Sequence, residues 1–245
     1  MINKKKHDSL LDYKNEFTDK ECIVLTCGPS IKEIDLTYLK KICKDRVVIA
    51  VKQSYGLVPE YVDFQVFNCN TFTPFRKRKN TITIACTSAP EHIIRTQAWG
   101  SYNIDFVLKN KSGVPINKTL AYLGNYDDWE YENTLQRPAG PAIIHEVIIN
   151  LLSLFGVSKV FFVGWDLQDP DEIKKGIYEH FYNPKKNKII KKGPPNPNSF
   201  EVIIKNSYEL YTWFQSKSID MFIISNRSHL DQRIPRLNIK DIKEL

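Results

Sequence analysis

Residues able to do chemistry gather behind short apolar runs in this chain. Gly28, Pro29 and Ser30 follow the run 23–25, and Lys52, Gln53 and Ser54 follow Val47–Val51. Asn68 and Asn70 follow the run 64–67, and Gly164 and Asp166 follow the run 160–163. A Gly-Pro-Ser turn between a strand and a helix start can offer backbone N–H groups to an anion. Ser30 with Glu33 matches a Ser-x-x-Glu capping box, which predicts a helix beginning at the serine. Asparagine and glutamine amides suit hydroxyls or a base, Lys52 adds one cation, and Asp166 adds one carboxylate. Together these groups suit a nucleotide or a sugar nucleotide. On this reading Gly28 must stay bare for a phosphate to approach, so Gly28→Val is expected to fold without binding it.

Two further groups could act on a substrate. Arg137, in "LQRPAGPAII", precedes a helix whose start is opened by Gly140, a second place for an anion, where a guanidinium could bind in a bidentate way. His180, in "IYEHFYNP", lies among aromatic residues and is suited to general-base chemistry. His145 falls inside an apolar helix and reads as a satisfied core histidine. The paired carboxylates of "YDDWEYE" follow no clear strand, and no metal site is assigned there. No GxSxG, HExxH, P-loop or GxGxxG pattern occurs.

The elements that must position these residues read as a parallel α/β fold. Apolar runs recur at 23–25, 47–51, 64–67, 82–85, 106–108, 160–163 and 221–224, four to six residues in most cases and rich in β-branched or aromatic side chains. Helical patterns lie between them, clearest at 141–156, where Pro141 suits the first turn and Gly156 the end, and at 200–218. Alternation of this kind predicts a Rossmann-like, mostly parallel sheet flanked by helices, with ligands at the carboxyl ends of the strands. Residues 1–20 read as a mobile or helical lead-in and 21–245 as one domain. The stretch 168–198, rich in Lys, Pro and Asn, reads as a lid insertion.

Composition narrows the classes. The chain has 245 residues, 42% of them hydrophobic, enough for one large α/β domain. No run of about 18 apolar residues could span a membrane. The first residues lack the apolar core of a signal peptide, so a cytoplasmic location is expected. Five cysteines without a CxxC pair read as buried thiols. The net charge of +7 comes with lysine clusters at 4–6 and within 183–195, which fit a solvated surface, nucleic acid, or an anionic membrane or substrate. No nucleic-acid motif accompanies them, and peripheral contact with the inner face of a membrane stays open.

Three segments together resemble the bacterial sialyltransferases of glycosyltransferase family 42. "CGPSIKEID" is similar to that family's N-G-P-S-L-K-E-I-D opening. "RPAGPAIIHEVIINLLSLFGVSKVFFVGWDL" resembles its central helix, strand and Gly-x-Asp turn, and "IDMFIISNRSHL" its closing strand. The order holds from about residue 21 to 238. The resemblance implies an inverting, metal-independent transferase that moves an acid sugar from a CMP-activated donor to a glycan acceptor, without a cofactor. It places Gly28, Pro29 and Ser30 on the donor phosphate side, Asn68 against the donor and Arg137 near the reacting centre, with Gly164 and Asp166 holding the nucleotide. Cys27 and Lys52 stand where the family has asparagines, and Ala139-Gly140-Pro141 replaces its Thr-Ser-Gly turn. These departures leave a related acid sugar such as Kdo open. Counting back from the last strand puts Glu201 near the family's basic histidine, so His180 and Glu201 are rival bases. Wider relatives with the same turn, among them pterin pyrophosphokinase-like proteins, keep an enzyme using ATP and Mg²⁺ or a non-catalytic relative as alternatives. A homo-oligomer also stays open.

Overall fold

A computed structural model describes residues 7–68, 80–87, 104–110, 126–129, 136–137, 143–175, 180–181, 197–225 and 227–243. Its centre is one sheet of eight strands: β1 (Glu21–Leu25), β2 (Val47–Val51), β3 (Phe64–Asn68), β4 (Ile82–Thr87), β5 (Phe106–Asn110), β6 (Gln136–Arg137), β7 (Lys159–Val163) and β8 (Asp220–Ile224). The spatial order is β6-β5-β4-β3-β2-β1-β7-β8, and every pairing is parallel. All seven predicted runs are strands. β6 went unpredicted because two residues carry no periodicity.

The apolar runs are unbroken because the central strands are covered on both faces. Along β1, Cys22 and Val24 join one core cluster, while Ile23 and Leu25 join the other. Helix α1 (Leu36–Cys43) packs Leu39, Ile42 and Cys43 into the second cluster. Helix α2 (Ile149–Phe155), entered through a π-helical turn at Ile144–Ile148, lies in the first. It ends where Gly156 takes a left-handed φ of 70°, as the sequence predicts. Short α3 (Pro170–Lys174) follows β7, then α4 (Pro197–Lys205) and α5 (Ser207–Ser216) lead into β8. The single helix expected over 200–218 is thus two helices, divided at Asn206, whose side-chain amide donates to the Val202 carbonyl.

Of the two states expected for the lead-in, the described residues take the helical one. Leu10–Tyr13 form a 3-10 turn, and Leu10, Tyr13 and Phe17 are fully buried. Phe17 and Tyr13 meet Phe64 of β3 and Phe155 of α2 edge-on or tilted. The amides of Asn15 and Phe17 donate to Leu154 and Phe155 at the end of α2. Four of the cysteines, Cys22, Cys27, Cys43 and Cys86, are buried free thiols. No helix among the described residues is long and apolar enough to cross a membrane.

The chain runs from β1 through β2 to β5 on one side and returns to β7 and β8 on the other. The strand order therefore reverses between β1 and β7, and the carboxyl ends of those strands mark the switch point where ligands bind in open α/β sheets.

Candidate active site

The turn after β1 is closed by the protein itself. The Gly28 amide donates to the Gly164 carbonyl oxygen at 2.9 Å. The Ser30 amide donates to Asp166 Oδ2 at 2.7 Å, and the Ser30 hydroxyl to Asp166 Oδ1 at 2.6 Å. Pro29 has no N–H to offer. The expected phosphate cradle at 28–30 is therefore not open, because its amides already have acceptors on β7's turn. The predicted capping box is also absent. Ser30 sits inside a 3-10 turn, Pro29–Glu33, and Asp35 caps α1 through the Thr37 amide at 2.7 Å. The reason is position: α1 begins only at Leu36, where Asp35 supplies the cap, while Ser30 stays in the preceding turn with its amide and hydroxyl on Asp166.

Asp166 is the centre of this clasp. It is 3% exposed, and a third donor, the Ser225 hydroxyl at the end of β8, reaches Oδ1 at 2.5 Å. Its carbonyl accepts the His229 amide at 2.8 Å. One carboxylate thus joins the ends of β1, β7 and β8. Gly28 is glycine because a Cβ there would overlap the Gly164 carbonyl and the Asp166 carboxylate. Gly164, at φ 74°, needs the same freedom, since a Cβ would strike Ile31. The close approach predicted at Gly28 is real, but the partner is the chain's own turn. On this packing Gly28→Val is expected to disturb the fold and not nucleotide binding alone.

The other side of β1 is arranged differently. Phe181 donates its amide to the Cys27 carbonyl at 3.2 Å, and His180 Nδ1 lies 3.1 Å from the same oxygen. A carbonyl only accepts, so Nδ1 carries the proton and Nε2 the lone pair. Burial, then the charge of Lys52, push the imidazole down to about 4, against a smaller upward pull from the Cys27 carbonyl. His180 is therefore neutral at pH 7. The Cys27 thiol donates to the Val51 carbonyl and is pushed up to about 11 by burial, which makes it a packing group rather than a nucleophile.

Lys52 begins the 3-10 turn Lys52–Gly56 after β2 with a left-handed φ of 52°, unusual for a side chain with a Cβ. The turn is pinned from both sides. The Gln65 amide donates to the Lys52 carbonyl at 3.2 Å, and the Ser54 hydroxyl lies 2.8 Å from both the Leu25 and Val51 carbonyls. Gln53 is buried beside it. Strain held by surrounding bonds in this way is typical of sites where geometry matters more than local stability.

The remaining predicted residues are dispersed. Asn68 ends β3, in register with Cys86 of β4, on the same sheet edge. Arg137 is in β6, at the far edge strand, six positions from β7 in the sheet's order of eight. Asn70 and Gly140 lie outside the described residues, as does most of 168–198. Glu201 is exposed on α4 and paired with Lys174 Nζ at 2.6 Å, and among the described residues nothing ties it to His180 or Lys52. Asp127 of the acidic segment holds Trp213 Nε1 at 3.0 Å and Lys217 at 2.9 Å. Ser225 was missed from the sequence. The rule that flagged Gly28 and Asp166, a residue just after an apolar run, would have found it.

His145 is buried as expected, but the expectation that it is satisfied fails. Among the described residues neither ring nitrogen has a hydrogen-bond partner, and neither does the side-chain amide of buried Asn150. The ring packs edge-on against Trp165 at 5.7 Å, and burial pushes it down to about 4.

No protein-family model matches this chain, and no curated protein matches it in sequence. Among solved structures it is similar to the MAf glycosyltransferase from Magnetospirillum magneticum AMB-1, with a TM-score of 0.51 and 11% identity. The similarity covers 94% of this chain and 37% of that one, so the chain spans little more than a third of the matched protein. At that identity the match establishes the shared α/β fold.

Proposed function

We propose that the chain is a glycosyltransferase that takes an acid sugar, sialic acid or a relative such as Kdo, from a CMP-activated donor and places it on a glycan hydroxyl. The observation that carries the reading is a histidine held by its Nδ1 on the Cys27 carbonyl, at the carboxyl end of the central strand, beside the cation Lys52. An inverting transfer needs those two functions. His180 Nε2 accepts the acceptor hydroxyl proton as the new C–O bond forms at the anomeric carbon. The bond from that carbon to the phosphate oxygen breaks, and its electron pair leaves on CMP. Lys52 neutralises the charge that develops there. The fold shared with a protein titled as a glycosyltransferase, and the sequence resemblance to CMP-dependent transferases, support the same reading.

The closed clasp moves the donor. With the amides of Gly28 and Ser30 committed to Gly164 and Asp166, the phosphate belongs on the β1–β2 side, toward Lys52 and the carboxyl end of β3. Because a lysine supplies the charge, the reaction is metal-independent on this reading. Thermal unfolding with CMP, UDP, GDP or ATP, each with EDTA or Mg²⁺, tests it. A nucleotide at about 100 times its dissociation constant stabilises by roughly 2.7 kcal/mol. CMP with EDTA should stabilise most; stabilisation by ATP with Mg²⁺ alone would replace the transferase with a kinase-like enzyme.

A further inference from the structure

A pocket of about 390 Å³ opens beside the Ser30–Asp166 clasp. It is lined by Ser30 and Ser225 of the clasp, by Asp35 at the cap of α1 and Tyr38 within it, and by Asn238 and Lys240 near the carboxyl end of the described chain. Its size falls within the roughly 300–1,000 Å³ of small-molecule sites. None of its residues serves the donor chemistry proposed above, and the amide and hydroxyl of Ser30 are turned to Asp166.

The chemistry of the lining selects a ligand class. Both serine hydroxyls donate to Asp166, so toward a ligand they are acceptors. Glu33, at the rim, is already neutralised by Arg227. Asp35 keeps a carboxylate at the wall, with one oxygen on the Thr37 amide. A phosphate here would face that carboxylate and the acceptor oxygens of both serines. Lys240 Nζ lies 5.7 Å from the centre of the Tyr38 ring, and no ion pair holds it among the described residues. One aromatic side chain, one ammonium donor and several acceptor oxygens match a neutral ligand with many hydroxyls, which both donates and accepts and has apolar C–H faces for the ring.

We infer that this pocket binds a neutral sugar unit of the glycan acceptor. The inference rests on the transferase reading and adds to it a location for the acceptor. Ser30 lines the pocket and Cys27 holds His180. They are three positions apart, at most roughly 11 Å of backbone. A glycan seated by one residue in the pocket can therefore extend its next hydroxyl over the turn to the imidazole.

Saturation-transfer NMR on the full chain, with a panel of neutral mono- and disaccharides including lactose, methyl β-galactoside, methyl β-glucoside and N-acetylglucosamine, tests this. At least one should receive saturation. Tyr38→Ala and Lys240→Ala should each weaken that sugar by roughly ten-fold, the scale of one lost aromatic or charge-assisted contact. Neither substitution should change the CMP-induced thermal shift, and Lys52→Ala should leave the sugar signal intact. No saturation of any sugar, or a signal indifferent to both Tyr38→Ala and Lys240→Ala, overturns the pocket assignment. Sugar binding that depends on Tyr38 without any nucleotide-induced shift would keep the pocket and remove the transferase reading.

Discussion

His180 Nδ1 lies 3.1 Å from the carbonyl oxygen of Cys27, a residue 153 positions earlier in the chain. That bond fixes the tautomer, and with the Phe181 amide it holds His180 and Phe181 against the turn after β1. The bond and the charge of Lys52 make specific demands on kinetics.

His180→Ala should lower turnover by roughly 10²–10⁴-fold, the usual contribution of a general base, with little change in donor affinity. The pH limb should fall near 4 instead of the usual histidine range, because burial and Lys52 both oppose the imidazolium. A limb near 4 also falls in the usual carboxylate range, so the pH profile alone does not identify the base. Substitution does. Glu201→Gln removes an exposed pair with Lys174 and should leave turnover within about two-fold. Steady-state kinetics of the two variants decide between the bases, and collapse in Glu201→Gln alone would reverse the assignment.

Asp166→Ala should destabilise the fold before it affects chemistry. Three donors, the Ser30 amide and hydroxyl and the Ser225 hydroxyl, would lose their acceptor in a buried place. At about 1–3 kcal/mol for each buried group left unpaired, the loss should be at least about 3 kcal/mol. In a chain of this size that is a fall in Tm of roughly 6–12 °C. Calorimetry within about 2 °C of wild type would show that the clasp is not structural.

Gly28→Val should fail in the same way. The new side chain would overlap the Gly164 carbonyl and the Asp166 carboxylate, neither of which can give without opening the β1–β7 junction. Soluble yield and Tm should both drop. A variant of normal Tm that has lost only nucleotide binding would restore the phosphate cradle that the sequence suggested.

His145→Leu should hold or raise stability at pH 7. It removes a desolvated ring with neither nitrogen bonded, at the cost of its contact with Trp165. Its folded value, about 4, is below its ordinary 6.5. The unfolded chain therefore binds a proton that the folded chain refuses, and stability present above pH 6.5 is lost as the pH falls toward 4. At pH 5 that loss is on the order of 2 kcal/mol for this one group. The stability advantage of His145→Leu should accordingly widen from pH 7 to pH 5 in thermal melts. A variant less stable than wild type at both pH values would mean that the ring is satisfied in solution.

The sheet was legible in the sequence because its central strands are covered on both faces, which writes them as unbroken apolar runs such as Val47–Val51. The strand-end rule then placed Gly28, Lys52 and Asp166 on one edge of the sheet. What it could not supply was which of them face each other. The partner of Ser30 is Asp166, 136 positions away, and the local capping pattern with Glu33 gave no hint of it. His180 was nominated on chemistry alone, and its contact with Cys27 is likewise non-local. The pocket beside Tyr38 escaped notice because it is assembled from α1, the end of β8 and residues near 240, none of which carries a motif.

The most direct test of the account is release of CMP from CMP-sialic acid and CMP-Kdo by the full chain, followed by mass spectrometry with a neutral glycan acceptor and EDTA present. The account predicts metal-independent formation of CMP and of an acceptor heavier by one acid sugar, both largely lost in His180→Ala and Lys52→Ala. Intact donor and acceptor after prolonged incubation of the folded protein, or turnover unchanged in both variants, would contradict it.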